Sequence, residues 1–188
     1  MIGAKRLRSG FTLVELLVVM TIFVSVTVVI SGIFLLTRRQ ERATLARQEV
    51  ANSLQFVTTY LTRQISRSAI AYGSWLPDDT HQPTTELQLL PFESVDEVII
   101  RQTDTRLEIS YSGGQSWEDL TDSTITIDTV AFYVEPRVDP SLITAGQYAA
   151  DQQPIVTIVI SGYSAAPSAV NQPPLVIQTS VSSRLYQR

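Results

Sequence analysis

Residues 5–37 read KRLRSGFTLVELLVVMTIFVSVTVVISGIFLLT, a short basic stretch followed by a long apolar run. From Leu16 to Thr37 there are 22 consecutive uncharged residues, and Glu15 is the only ionisable side chain between Phe11 and Arg38. At 1.5 Å rise per residue about 20 residues cross the ~30 Å hydrocarbon core of a bilayer, whereas the apolar part of a secretory signal is only ~7–15 residues. The length therefore favours a membrane span at 16–37 over a signal sequence or a buried core helix. Before it, residues 1–10 carry Lys5, Arg6 and Arg8 and no acid.

Beyond the span the charge changes sign. Residues 38–67 hold six arginines against Glu41 and Glu49, a balance of +4, while residues 68–188 hold five arginines against fifteen acids, a balance of −10. An acidic body is a poor electrostatic match for a polyanion, so direct nucleic-acid binding is not expected. The chain of 188 residues has a formal net charge of −4, no cysteine and one histidine, His81. The lack of cysteine excludes disulfide scaffolds, thiolate metal sites and cysteine nucleophiles. No phosphate-binding glycine loop, G-x-S-x-G elbow or H-E-x-x-H is present, so the chain is not expected to be an enzyme.

The helical signal continues past the span. Ala43, Ala46, Val50, Leu54, Val57, Leu61 and Ile65 recur at steps of three and four, no proline occurs between Met1 and Trp75, and Gly32 is the only glycine between Phe11 and Gly73. One helix over 11–71, about 60 residues or ~90 Å, is predicted. Its first half would lie in the membrane, and its second half would lay the Val50–Leu54–Val57–Leu61–Ile65 stripe on the body. Short β-branched runs follow at Leu87–Leu90, Val98–Arg101, Arg106–Tyr111, Thr124–Val134, Ile155–Ile160 and Leu175–Val181, with a tight turn at Gly113–Gly114. The expected fold class is α+β: a long N-terminal helix packed on an antiparallel sheet. The expected division is 1–10, 11–71 and a β-rich head at 72–188.

The order of features in KRLRSGFTLVELLVVM, residues 5–20, resembles the type III leader of type IV pilins and type II secretion pseudopilins. The resemblance implies that prepilin peptidase removes residues 1–10 by cutting between Gly10 and Phe11 and N-methylates Phe11. It also implies that Glu15 is needed for assembly into a filament with other pilins or pseudopilins. The head would then be extracytoplasmic, first on the bacterial inner membrane and later in an envelope or surface filament. The chemistry agrees with these roles. Gly10 offers a peptidase an unobstructed backbone. A carboxylate at the bilayer centre costs roughly 2.5–3.5 kcal/mol, so Glu15 calls for a partner, and the amine freed at Phe11 is the natural one.

Two features depart from the simplest picture. Arg38, Arg39, Arg42 and Arg47 outnumber Lys5, Arg6 and Arg8, so the distribution of positive charge leaves orientation ambiguous, and the leader motif decides it. The span has Gly32 where many major pilins have a proline, which makes local unwinding at Gly32 a hypothesis. The head of about 115 residues has long loops and no cysteine, which suggests a minor subunit. LQFVTTYLTRQISRSAI (54–70), TIVISGYSA (157–165) and LVIQTSVSSRL (175–185) are similar to minor pseudopilins of the J type and W-type minor pilins, implying a place in a tip or priming complex.

Other residues carry weaker signals. Asp78, Asp79, Glu118, Asp119 and Asp122 offer oxygen ligands for calcium, but without a D-x-D-x-D-G pattern they read better as solvated loops, and no cofactor is expected. His81 reads as an exposed loop residue. Trp75, Trp117, Phe132, Tyr133 and Tyr148 could form a partner surface or simply pack the core, and the consecutive Phe132 and Tyr133 must face opposite sides of a strand. The competing reading is an uncleaved, signal-anchored extracytoplasmic binding domain.

Overall fold

A computed structural model describes residues 12–72, 83–92, 96–137, 139, 153–166 and 172–183. Helix α1 runs Leu13–Ser66 without a break, and among the described residues eight strands follow: β1 Ser68–Ile70, β2 Glu86–Pro91, β3 Val98–Thr103, β4 Arg106–Ser110, β5 Glu118–Asp119, β6 Ile125–Glu135, β7 Ile155–Ser164 and β8 Leu175–Ser182. They form a five-stranded antiparallel sheet in the order β1-β2-β3-β4-β5 and a three-stranded antiparallel sheet in the order β6-β7-β8. The architecture is the expected α+β one, with two sheets rather than one. The chain divides into two compact units, residues 1–43 and 44–188.

Within the second unit the helical stripe meets the body as its spacing requires. Val50, Leu54, Val57, Leu61 and Ile65 are buried in one cluster with Leu87, Leu89, Ile100, Leu107 and Ile109 of the first sheet and Ile127, Val130, Phe132, Ile158 and Ile160 of the second. Gly162 in the middle strand β7 faces the helix. A Cβ there would lie 3.0 Å from the Thr126 carbonyl oxygen of β6, too close to fit without a shift, and in ordinary contact, 3.5 Å, with Leu54 Cδ2 of the helix.

Three local features differ from the sequence expectation. The helix was predicted over 11–71, but it ends at Ser66 and Ser68–Ile70 is a strand. Here tertiary pairing overrides a helix-compatible pattern: Ser68, Ala69 and Ile70 pair with Pro91, Leu90 and Leu89, and the Ser183 hydroxyl donates to the buried Ser68 carbonyl at 2.6 Å. Glu118 and Asp119, expected in a loop, form a short edge strand against Ile109 and Glu108. In β6 the apolar alternation breaks because a β-bulge falls between Ile127 and Thr129. Ile125 and Ile127 face the core before it, and Val130, Phe132 and Val134 face the same core after it.

The bulge leaves backbone groups without ladder partners, and the other sheet supplies them. Gln102 donates from Nε2 to the Asp128 carbonyl at 3.3 Å and accepts from the Val130 N–H at 2.8 Å. The Ile127 N–H donates to the Thr105 carbonyl at 2.8 Å. The β3–β4 hairpin that carries Gln102 turns at Asp104–Thr105, with Asp104 at φ 52°, the positive angle that two-residue hairpin turns require. Gly113 (φ 61°) and Gly114 (φ 90°) do turn the chain after β4, in a longer connection to β5. A second seam joins Thr84 and Phe132 through reciprocal backbone bonds of 3.1 and 2.8 Å.

Candidate processing and assembly site

The site begins where α1 begins. Thr12 sits before the first helical residue, and its Oγ1 accepts the Glu15 N–H at 3.2 Å, while its carbonyl accepts the Leu16 N–H. This is N-capping: a helix leaves its first N–H groups without intrahelical partners, and a threonine hydroxyl satisfies one of them. The Thr12-Leu13-Val14-Glu15 spacing is the S/T-x-x-E signature of a helix start, a signal the sequence reading did not use. It makes Glu15 the third helical residue, where the positive end of the macrodipole favours an acid. The Glu15 side chain is exposed and has no bonding partner among the described residues.

Past Glu15 the helix surface is almost wholly apolar and open. Leu16, Leu17, Val18, Val19, Met20, Ile22, Phe23, Val24 and the large residues on to Leu36 are all exposed. The helix is long and apolar enough to cross a membrane, with none of its most apolar window buried. Its few polar side chains are turned back on its own backbone. Thr21 donates to the Val18 carbonyl, Ser25 to Thr21, Thr27 to Phe23, Ser31 to Thr27 and Thr37 to Ile33. In hydrocarbon an unsatisfied hydroxyl is costly, and back-bonding one turn up the helix removes that cost. Glu15 is left as the one charged group. At Gly32 the helix continues, and a Cβ there would meet nothing within 4 Å.

Gly10, Phe11, Lys5, Arg6 and Arg8, and in the head Trp75, Asp78, Asp79, His81 and Tyr148, lie outside the described residues. The described head candidates are placed clearly. Trp117 is covered by the Arg101 guanidinium, 3.5 Å above its ring, and Arg101 also bonds Glu108 through Nε and a terminal nitrogen at 3.2 and 3.1 Å. Phe132 is fully buried while Tyr133 is 39% exposed, so the two do face opposite sides. Asp119 is paired with Arg106 at 2.8 Å, Asp122 accepts from the Ser123 hydroxyl at 3.2 Å, and Glu118 is exposed. Among the described residues no three acidic or imidazole groups converge on a metal-sized space.

Among the depressions on the head, two are lined by described residues. One, about 520 Å³, is lined by Thr126, Asp128, Tyr163, Ser164 and Gln172 beside the β6 bulge. The other, about 370 Å³, lies between Thr58, Thr62 and Arg63 of the helix and Ile177 and Thr179 of β8. The bulge turns Asp128 outward, where it accepts from the Ser161 hydroxyl at 3.1 Å, and neither depression joins a nucleophile to a base.

Residues 5–31 match the family model of the prokaryotic N-terminal methylation motif. The match takes in the basic leader, Gly10, Phe11, the Thr12 cap and Glu15, and it ends before the head. The match supports the type IV pilin and pseudopilin class, and the motif is a structural pilin motif and not that of an enzyme family. The motif accordingly supports a type IV pilin-like substrate of prepilin peptidase. Comparison with curated proteins and with solved structures yields no match.

Proposed function

We propose that this chain is a minor pilin or pseudopilin, a structural subunit of a type IV pilus or type II secretion-like filament. Prepilin peptidase cuts after Gly10 and methylates Phe11, and the mature subunit sits in the inner membrane with its head outside until assembly. The observation that carries this is the helix surface from Leu13 to Leu36: exposed and almost wholly apolar, with Glu15 the one charged side chain and no partner for it among the described residues. In a filament, neighbouring helices would cover that surface, and the Phe11 amine of a neighbour would neutralise Glu15. The long-looped head and the similarity of residues 54–70, 157–165 and 175–185 to J-type and W-type subunits support a minor subunit acting in a tip or priming complex. No cofactor enters the proposal, and calcium or its chelation is expected to leave head stability unchanged.

Intact-mass and N-terminal analysis of the protein from its native membrane tests this reading. A mature chain beginning at N-methylated Phe11, lost in Gly10→Ala, is expected. An N-terminus at Met1 would overturn it in favour of an uncleaved signal anchor.

A further inference from the structure

The arginines that follow the span are not used by the assembly reading. Leu16–Thr37 is uncharged for 22 residues, and α1 carries it without interruption. At 1.5 Å per residue that run is about 33 Å, the thickness of the hydrocarbon core. With Leu16 at one boundary, Arg38 falls at the other, and Arg39 and Arg42 lie within the next helical turn and a half. All three are exposed. At about 100° per residue they share one arc of roughly 100°, with Arg42 between Arg38 and Arg39.

Their surroundings leave them available to an anion. Among the described residues neither Arg39 nor Arg42 has an ion-pair partner. The Arg38 guanidinium lies 5.0 Å from the centre of the Phe34 ring, one turn back along the apolar run. Stacking on a ring face holds the planar group at the last apolar turn and leaves its edge N–H donors free, the geometry that suits a bidentate phosphate. Glu41 stands between Arg39 and Arg42 in sequence but makes no ion pair among the described residues, and in a bilayer lipid phosphates would surround this turn and a half of helix on every side.

We propose that Arg38, Arg39 and Arg42 form a binding site for the phosphate headgroups of anionic phospholipids at the boundary of the span farther from the leader. This rests on the membrane-spanning reading of the helix. With positive charge at both ends, charge alone does not favour one orientation, and the arginines act as a depth stop that must be released when the subunit leaves the bilayer.

The test uses the full chain reconstituted at about one copy per vesicle in phosphatidylcholine, with electron paramagnetic resonance of spin-labelled phosphatidylglycerol or phosphatidylcholine. Resistance to carbonate extraction first establishes insertion. One arginine near an anionic surface corresponds to about a five-fold preference, and averaging over the whole lipid ring brings three of them to roughly that value in the relative association constant. A preference of roughly five-fold for phosphatidylglycerol is expected. It should fall to near one in the triple variant Arg38→Gln/Arg39→Gln/Arg42→Gln and persist in Lys5→Gln/Arg6→Gln/Arg8→Gln. Equal association of both lipids with an inserted chain overturns the proposal alone, as does a preference abolished by the leader changes or one seen only when copies are crowded, which would assign the arginines to a neighbour's acidic head. Extraction of the chain by carbonate overturns the membrane reading itself.

Discussion

Leu54→Ala tests how the helix is held to the head. Leu54 is fully buried, and its Cδ2 faces Gly162 in the middle strand of the three-stranded sheet. The change removes three carbon atoms, worth about 0.8 kcal/mol each in transfer from water, or about 2.4 kcal/mol in all. A cavity term adds to this unless the walls move in, and buried leucines truncated to alanine span about 2.7–5 kcal/mol. Here one wall cannot follow. Gly162 is tied to Ile127 on β6 and Leu175 on β7's other neighbour, β8, and has no side chain with which to fill the gap. The expected loss is therefore in the upper half of that range, about 4 kcal/mol. Leu45→Ala and Phe56→Ala, each 63% exposed on the opposite side of the same helix, should each cost less than about 0.5 kcal/mol. Urea unfolding of the full chain in detergent micelles, followed by Trp fluorescence, gives the three values. A Leu54→Ala loss below about 1.5 kcal/mol, or one matching the exposed variants, would refute the packing argument.

Three further outcomes follow from the geometry. Thr12→Ala removes the hydroxyl that accepts the Glu15 N–H and should destabilise the first helical turn by about 1 kcal/mol, read as faster exchange of the Glu15 amide in micelles, with Thr12→Ser close to wild type. Gly113→Ala forces a side chain onto a residue at φ 61° and should cost about 1–2 kcal/mol in the same urea titration, whereas Gly113→Asn should recover most of it. Arg101→Lys keeps the charge beside Glu108 but gives up the planar stack on Trp117 and the two-nitrogen contact; a loss of about 1 kcal/mol with a changed Trp emission is expected, and unchanged emission would mean that the stack does not persist in solution.

Much of this protein is written in short-range pattern. A run of 22 uncharged residues has one economical conformation in a bilayer, because every backbone group must be satisfied within the segment, and only a helix does that locally. The stripe from Val50 to Ile65 names its own buried face by spacing, and all five of its residues are buried. The class signal is legible for the same reason: the basic leader, Gly10, Phe11 and Glu15 make up a motif defined by their order, and order is what a sequence records. The Thr12 cap is equally local, written in the Thr12-Leu13-Val14-Glu15 spacing.

What was not legible depends on partners far along the chain. Ser68–Ile70 could continue a helix by composition, and it becomes a strand because Leu89–Pro91 lies alongside it. The alternation in β6 fails at Asp128 because a bulge lets one strand keep facing the core through both halves, and the bulge is tolerable because Gln102, 26 residues earlier, satisfies its backbone. Trp117 could have been an exposed aromatic; Arg101 and Glu108, on two paired strands, turn it into part of a stacked ion pair. Periodicity and motif order therefore determined the anchor, the helix and the class. Sheet number, register and the fate of the polar and aromatic side chains were decided by tertiary contacts, since a residue's hydrogen-bond and packing partners are set by which strands meet, and no local window contains that information.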